Sequence, residues 1–195
     1  MSENKRRNPK QGRALATFNA ILEATLQILE AEGEARLTTN HIAERAGVSI
    51  GTLYQYFSDR DEILAELGHR EAESVRNRIS EIVSKNAEQA DIRAIVRALM
   101  DGGTGKPQTR MILSETLIKV RGESVLGEHH LAFLKSVSDL PGKQRALTNE
   151  QAFILTQAAI SLLRAAAAQP ALGLDRKKLE DELVRLMESY LGALG

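Results

Sequence analysis

Leu37 to Leu64 read Leu-Thr-Thr-Asn-His-Ile-Ala-Glu-Arg-Ala-Gly-Val-Ser-Ile-Gly-Thr-Leu-Tyr-Gln-Tyr-Phe-Ser-Asp-Arg-Asp-Glu-Ile-Leu, and the fold follows from this stretch. Thr38 carries a hydroxyl that can accept an orphan amide of a helix opening at Thr39. Ile42, Ala43 and Ala46 then share one face of that short helix, with Ala43 small where a crossing helix must come close. Gly47 stands where a left-handed residue ends a helix without a Cβ penalty. Ser49 caps a second short helix in which Leu53 and Phe57 are expected to point inward. Ile50, Gly51, Tyr54 and Gln55 are left on its outer side, and His41 is expected on the exposed face of the first helix. A third, longer helix starts near Asp59. Helix, glycine turn, helix is an arrangement that presents its second helix to the major groove of DNA.

The same residues carry a family resemblance. Ile42-Ala43, Ala46-Gly47-Val48-Ser49, Gly51-Thr52-Leu53-Tyr54 and Tyr56-Phe57, followed by a basic residue and an apolar pair, resemble the DNA-binding domain of TetR-type repressors. The likeness is dense over residues 12–68 and nearly absent afterwards. Arg60 stands where that family most often has lysine; both neutralise phosphate, with different geometry. The resemblance implies a ligand-responsive regulator, a repressor that holds a palindromic operator as a homodimer and is released by a small-molecule inducer. An activator or architectural factor without ligand control, or an all-helical enzyme with a relic motif, are the alternatives.

Chemistry ranks the candidate DNA contacts. Thr39, Thr52, Tyr56 and Arg60, with Tyr54, can donate to phosphates and set the register, in agreement with matching positions of the family. Asn40 can reach a phosphate or an adenine edge, Ile50 a thymine methyl, and Gln55 an adenine, while Gly51 permits close backbone approach. Ser49 stands at the cap between them. Lys5, Arg6, Arg7, Lys10 and Arg13 cluster at the start of the chain, opposed only by Glu3. Phosphate affinity follows local contacts and not whole-protein charge, so the balance of 26 basic against 26 acidic residues does not argue against DNA. A solvated tail would have the same composition.

The rest of the 195 residues reads as helix, giving an all-α chain of about nine helices: a basic arm over 1–11, a helix-turn-helix domain over 12–68, and a ligand-binding and dimerisation domain over 69–195. Leu15, Phe18, Ile21, Leu22, Thr25, Ile28 and Leu29 recur at helical spacing from Ala14 to Ala31, with Gly33 as the stop. A long helix from about Asp59 to Ser84 links the two domains. Helices follow over Asp91–Met100, from Pro107, which suits a first turn, and over Ser124–Val137. Thr148 to about Ala168 and Asp175 to Leu194 form a final pair. By position, though not by motif, the resemblance implies that this pair dimerises, and Ala152, Leu155, Ala159, Leu162, Leu183, Met187 and Tyr190 are the expected interface. Met100, Met111, Leu117, Phe133 and Phe153 are candidate pocket residues, apolar helix positions that solid core would equally explain.

Other chemistries find little support. Gly102-Gly103-Thr104-Gly105-Lys106 suggests a phosphate loop, but Pro107 replaces the required hydroxyl residue, Met100 replaces the first glycine and no strand precedes it. His129 and His130, beside Glu128, diverge by about 100° on a helix and cannot easily share a metal ion. No catalytic constellation stands out, and neither cofactor nor metal is expected. Cysteine is absent, which removes disulfide and thiolate chemistry. No apolar signal core follows the N-terminus. Ala158–Ala168 is interrupted by Arg164 and too short to span a bilayer. A soluble, cytoplasmic protein with no membrane partner is therefore expected.

Overall fold

The computed structural model describes residues 9–85, 91–102, 105–122, 125 and 147–193. These hold eight α-helices and no strand: α1 Pro9–Glu32, α2 Thr39–Arg45, α3 Ile50–Tyr54, α4 Arg60–Lys85, α5 Ile92–Asp101, α6 Pro107–Arg121, α7 Asn149–Ala168 and α8 Arg176–Gly192. The chain is all-α, as expected. The helix expected over Ser124–Val137 lies outside the described residues apart from Val125, which is helical.

Local chemistry sets the helix ends. Thr38, Asp91 and Asp175 each accept an amide of the first turn that follows, and Thr148 with Gln151 forms a reciprocal capping box. Pro107 opens α6, where its missing N–H costs nothing. Asp59 accepts the Glu62 amide at the head of α4. The arm is shorter than expected, because α1 begins at Pro9 and takes residues 9–11 into helix.

The first core joins α1, α2 and α3 to the start of α4. Ile21, Ile28, Ile42, Leu53, Ile63 and Leu64 are fully buried in it. Thr25 joins them by donating its hydroxyl to the Ile21 carbonyl at 2.8 Å. Leu15 departs from the expected stripe and is 59% exposed, because the N-terminal turns of α1 run past the end of this core. Phe18 is the first residue to reach it, stacked on Phe57 at 4.9 Å between ring centroids, with the Arg70 guanidinium 5.1 Å from its own. Phe57 points inward as expected, but from the segment after α3, which stops at Tyr54.

No break separates the domains at residue 68. Leu113 of α6 belongs to the first core, and α4 continues through to pack Ile79 and Val83 against Ile95 and Ala98 of α5. A second core joins Val96 of α5 to Leu155 and Ala159 of α7 and Leu183, Val184 and Met187 of α8. Arg93 reinforces it from outside, at 2.7 Å from both Glu180 and Asp181. The tightest crossing is between α4 and α6. A Cβ added at Gly68 would lie 2.6 Å from the Leu113 carbonyl oxygen and 3.1 Å from the Leu117 Cβ.

The glycine loop before α6 ties the two halves together. Glu30, near the end of α1, accepts from the Lys106 amide at 2.8 Å, and the Lys106 ammonium donates to the Glu30 carbonyl at 2.7 Å. Arg78 and Arg110 donate to the Gly102 and Gly105 carbonyls. The loop's cations therefore serve protein carbonyls, in keeping with a connecting role.

One expectation needs correction. The apolar run does not start at Ala158: α7 spans 20 residues from Asn149 with mean hydropathy 1.3, long and apolar enough to cross a membrane by length and composition. Its Leu155 and Ala159 face is occupied by α5 and α8 and Ala152 is buried too, so the helix has a protein neighbour along one side.

Gly68→Ala should lower stability by about 1–3 kcal/mol, since the clash is with backbone and can be relieved only by parting α4 from α6. Gly12→Ala, in open space on α1, should be neutral or stabilising by up to about 1 kcal/mol. Urea denaturation of the two variants checks both signs; equal midpoints would mean that the crossing tolerates a methyl group.

Candidate nucleic-acid interface

The interface is built on two short helices and the turn between them. Gly47 has φ +68°, and its amide and that of Val48 donate to the Glu44 and Ala43 carbonyls at 3.1 and 3.0 Å. This paired closure fixes the angle at which the chain leaves α2. Ser49 accepts the Thr52 amide at 3.0 Å and lies 2.8 Å from the Thr52 hydroxyl. Only Leu53 of α3 is buried. A five-residue helix is therefore held by one anchor and one cap, and the rest of its surface is free to face a partner.

The outer surface gathers most of the expected residues. Asn40, Ser49, Ile50, Gly51, Tyr54 and Gln55 are exposed, with Gln55 at the C-cap of α3 and not within it. Thr39 is half-buried, and its hydroxyl lies 3.3 Å from the Tyr54 phenol, so the start of α2 is bridged to the end of α3. Thr52 and Tyr56 are half-buried, and the Tyr56 ring meets Phe18 edge-on at 6.2 Å between centroids. Lys5, Arg6 and Arg7 lie outside the described residues.

Two residues behave differently from their sequence reading. His41 is not a plain surface side chain: its Nδ1 lies 3.2 Å from the Arg36 carbonyl and its Nε2 3.7 Å from Glu32. Arg45 joins the same carboxylate at 2.7 Å, so Glu32 pins the end of α1 to α2. Arg60 is not an unengaged donor. Its Nε and Nη2 donate to Asp61 at 3.2 and 3.1 Å, and Glu34 lies 3.5 Å from Nη2. The second Asp61 oxygen accepts from the Lys119 ammonium of α6 at 2.7 Å. Lys119 carried no signal in the sequence, because 58 residues separate it from Asp61 and no local periodicity links them.

The carboxyls around this surface are tuned downward. The Lys119 ammonium, followed by the Arg60 guanidinium, holds Asp61 below the usual carboxylate range. The Ser58 amide does the same for Glu62, and the Thr109 hydroxyl, aided by the Lys106 amide, for Glu30.

With this geometry in place, comparison with known proteins is decisive. Residues 21–67 match the family described as bacterial regulatory proteins, tetR family. Residues 21–67 are thus a DNA-binding domain of the TetR family. An uncharacterised HTH-type transcriptional regulator of Mycobacterium bovis is 23% identical over 191 residues, covering 94% of this chain and 97% of the relative. A TetR-family regulator structure from Mesorhizobium loti superposes with TM-score 0.61 at 16% identity, over 93% of this chain and 98% of that one. The multidrug binding protein EbrR, solved with imidazole, superposes with TM-score 0.59 at 16% identity, over 87% and 93%. The helix-turn-helix within this TetR-family domain is the chain's DNA-binding element.

The expected dimer and pocket residues fare less well. Leu155, Ala159, Leu183 and Met187 are buried in the chain's own second core, Tyr190 packs half-buried against it, and Ala152 is buried as well. They are intrachain core. Of the expected set only Leu162 is exposed, at 46%. Periodicity identified apolar faces but not which face turns inward on helices apolar over most of their circumference. Met100 packs with the α5, α7 and α8 core, whereas Leu117 sits with Ala65 and Val125, and Met111 is half-buried on α6. Phe153 lies on the outer side of α7, 52% exposed, and Phe133 lies outside the described residues. The four described residues are therefore spread over separate clusters and surfaces. A groove of about 450 Å³ does run along α4, but Arg70, Glu73, Asn77, Arg78 and Glu81 line it with charge and amide.

A carboxyl held below its ordinary range favours the folded state while ionised and loses that contribution as pH falls through its lowered pKa. Stability should thus be fully supported by Glu30, Asp61 and Glu62 above the ordinary carboxylate range and decline as acid protonates them. Asp61→Asn should make the acid-side decline shallower in denaturation midpoints measured across pH. An unaltered slope would show that the Lys119 contact does not form in solution.

Proposed function

We propose that this regulator is a ligand-responsive repressor that grips a palindromic operator as a homodimer and is released when a small molecule enters its C-terminal helical domain. The observation that carries the reading is the outer surface of α2 and α3, where Asn40, Ile50, Gly51, Tyr54 and Gln55 stand exposed on a rigidly capped scaffold. On this reading Thr39, Thr52, Tyr56 and Arg60, with Tyr54, take phosphates and fix the register, Ser49 orients α3, and Ile50, Gly51, Gln55 and Asn40 meet base edges. Lys5, Arg6 and Arg7 add phosphate contacts from the arm. A bacterial repressor of this kind works in the cytoplasm, beside the chromosome.

Dimerisation is assigned to a revised surface. Ile154 and Leu162 lie two turns apart on α7, Leu172 and Leu174 follow in the connection, and Leu186 lies on α8; all five are exposed. Apolar side chains clustered on adjoining segments favour a second copy of the same surface across a two-fold axis. Two recognition helices then meet successive major grooves on one face of the duplex, about 34–36 Å apart. The membrane-like hydropathy of α7 has the same explanation, with one side in the chain's own core and the other against the partner copy. The inducer reading draws on EbrR, a fold neighbour named as a multidrug binding protein. Met100, Met111 and Leu117 border the helices between which a ligand would enter.

Sedimentation and selection of DNA sites from a random duplex pool test this reading together. The protein should run at twice its chain mass and select a palindrome, with affinity falling steeply as salt rises. Leu162→Glu or Leu186→Glu should give folded monomers that lose the palindrome. Leu183→Glu should instead unfold the chain, because it buries an unpaired carboxylate at a cost of several kcal/mol. Removing residues 1–8 should flatten the salt slope without altering the denaturation midpoint. A monomer with a single-site isotherm on palindromic DNA would defeat the two-fold mechanism.

A further inference from the structure

Lys119 lies outside the DNA-binding element, near the end of α6, yet it holds the carboxylate that holds Arg60. Asp61 gives one oxygen to the Arg60 guanidinium and the other to the Lys119 ammonium. Arg60 opens α4 beside α3, and its Nη2 also faces Glu34 at 3.5 Å. A guanidinium has five donors, and those not aimed at Asp61 or Glu34 remain available to a phosphate oxygen. The same carboxylate disfavours any phosphate that approaches, because it presents a like charge at the head of the helix.

We propose that Lys119 is a positioning residue for DNA binding: by sharing Asp61 it offsets the charge of that carboxylate and leaves the Arg60 donors not engaged by Asp61 better able to take a phosphate. The inference rests on Arg60 being a phosphate donor, as proposed above. Together Arg60, Asp61 and Lys119 carry a net positive charge of one; without Lys119 the pair that remains is neutral and closed on itself. Arg60 already gives Nε and Nη2 to Asp61; without Lys119 the full charge of that carboxylate falls on Arg60, and the phosphate contact made by its remaining donors weakens. Because Lys119 rides on α6, any displacement of the last turn of α6 relative to α4 changes how Asp61 divides its charge. The C-terminal half thereby acts on a DNA contact through a side chain, in addition to any change in the spacing of recognition helices. The Asp61–Lys119 contact ties the end of α6 to the start of α4, two turns from the close crossing of Gly68 with Leu113 and Leu117.

Arg60→Ala, Lys119→Ala, Lys119→Arg and Asp61→Asn, alone and combined, decide this on a random-sequence duplex and on the operator selected by the unmodified protein. Lys119→Ala should weaken binding roughly twofold to fivefold, the scale of an exposed ion pair, and lower the salt slope by about one phosphate contact. Lys119→Arg should restore both. In the Asp61→Asn background, which itself binds at least as tightly as the unmodified protein, Lys119→Ala should have no effect. Denaturation midpoints separate this from a plain bracing role, which would move stability and leave the salt slope alone. An equal loss in the Asp61→Asn background would mean that Lys119 meets DNA directly, and no loss at all would mean that Asp61 does not restrain Arg60; either overturns the proposal. If Arg60→Ala binds as the unmodified protein does, the assignment of Arg60 to phosphate is wrong and the relay falls with it, an outcome distinct from the other two.

Discussion

The close passage of α4 over α6 at Gly68 constrains everything around it. No side chain separates the two backbones there: the Leu113 carbonyl stands where a Cβ would have to go. An approach this close leaves α6 little room to slide independently of α4. Leu113 can therefore belong to the core of the DNA-binding half, and Leu117, one turn later, packs with Ala65. The two halves share one seam, and interiors packed this densely transmit displacement in preference to absorbing it.

Polar contacts are placed at both ends of that seam. At one end Glu30 joins the last turn of α1 to the loop that starts α6, through the Lys106 amide and ammonium. At the other end Asp61 joins the first turn of α4 to Lys119. Each involves a carboxyl held below its ordinary range, Glu30 by the Thr109 hydroxyl and then Lys106, Asp61 by Lys119 and then Arg60, so both contacts are strongest when the groups are ionised. Exposed pairs of this kind add little to stability. Their value is in fixing how α6 lies against α1 and α4, and hence the direction in which α3 is presented.

The final helices illustrate how one apolar composition serves two neighbours. On α7 the Leu155 and Ala159 side is consumed by α5 and α8, which a small residue such as Ala159 permits by letting helices come near. Ile154 and Leu162 remain on the surface. A helix apolar on both sides passes a hydropathy test for membrane crossing, yet the same composition is expected wherever one side faces a core and the other a second protein surface.

By itself the sequence determined the features set by nearest neighbours along the chain. Thr38, Ser49, Asp91, Thr148 and Asp175 cap the helices they precede, and Gly47 takes its positive φ, because caps and turns involve residues three or four apart. The outward set on α3 was legible for the same reason, since fixing Leu53 inward fixes the remainder. Tertiary structure alone decided what depends on distant partners. Leu15 has an apolar side chain in helical register, but only the length of α1 relative to its core leaves it in water. Ala159 and Leu183 look like candidates for any apolar contact, and the packing of α5 made them core. His41 looks free until Glu32 of α1 arrives, and the Arg60–Asp61 pair looks self-contained until Lys119 of α6 reaches Asp61. Periodicity specifies that a face is apolar or charged; which neighbour meets that face depends on how the helices cross.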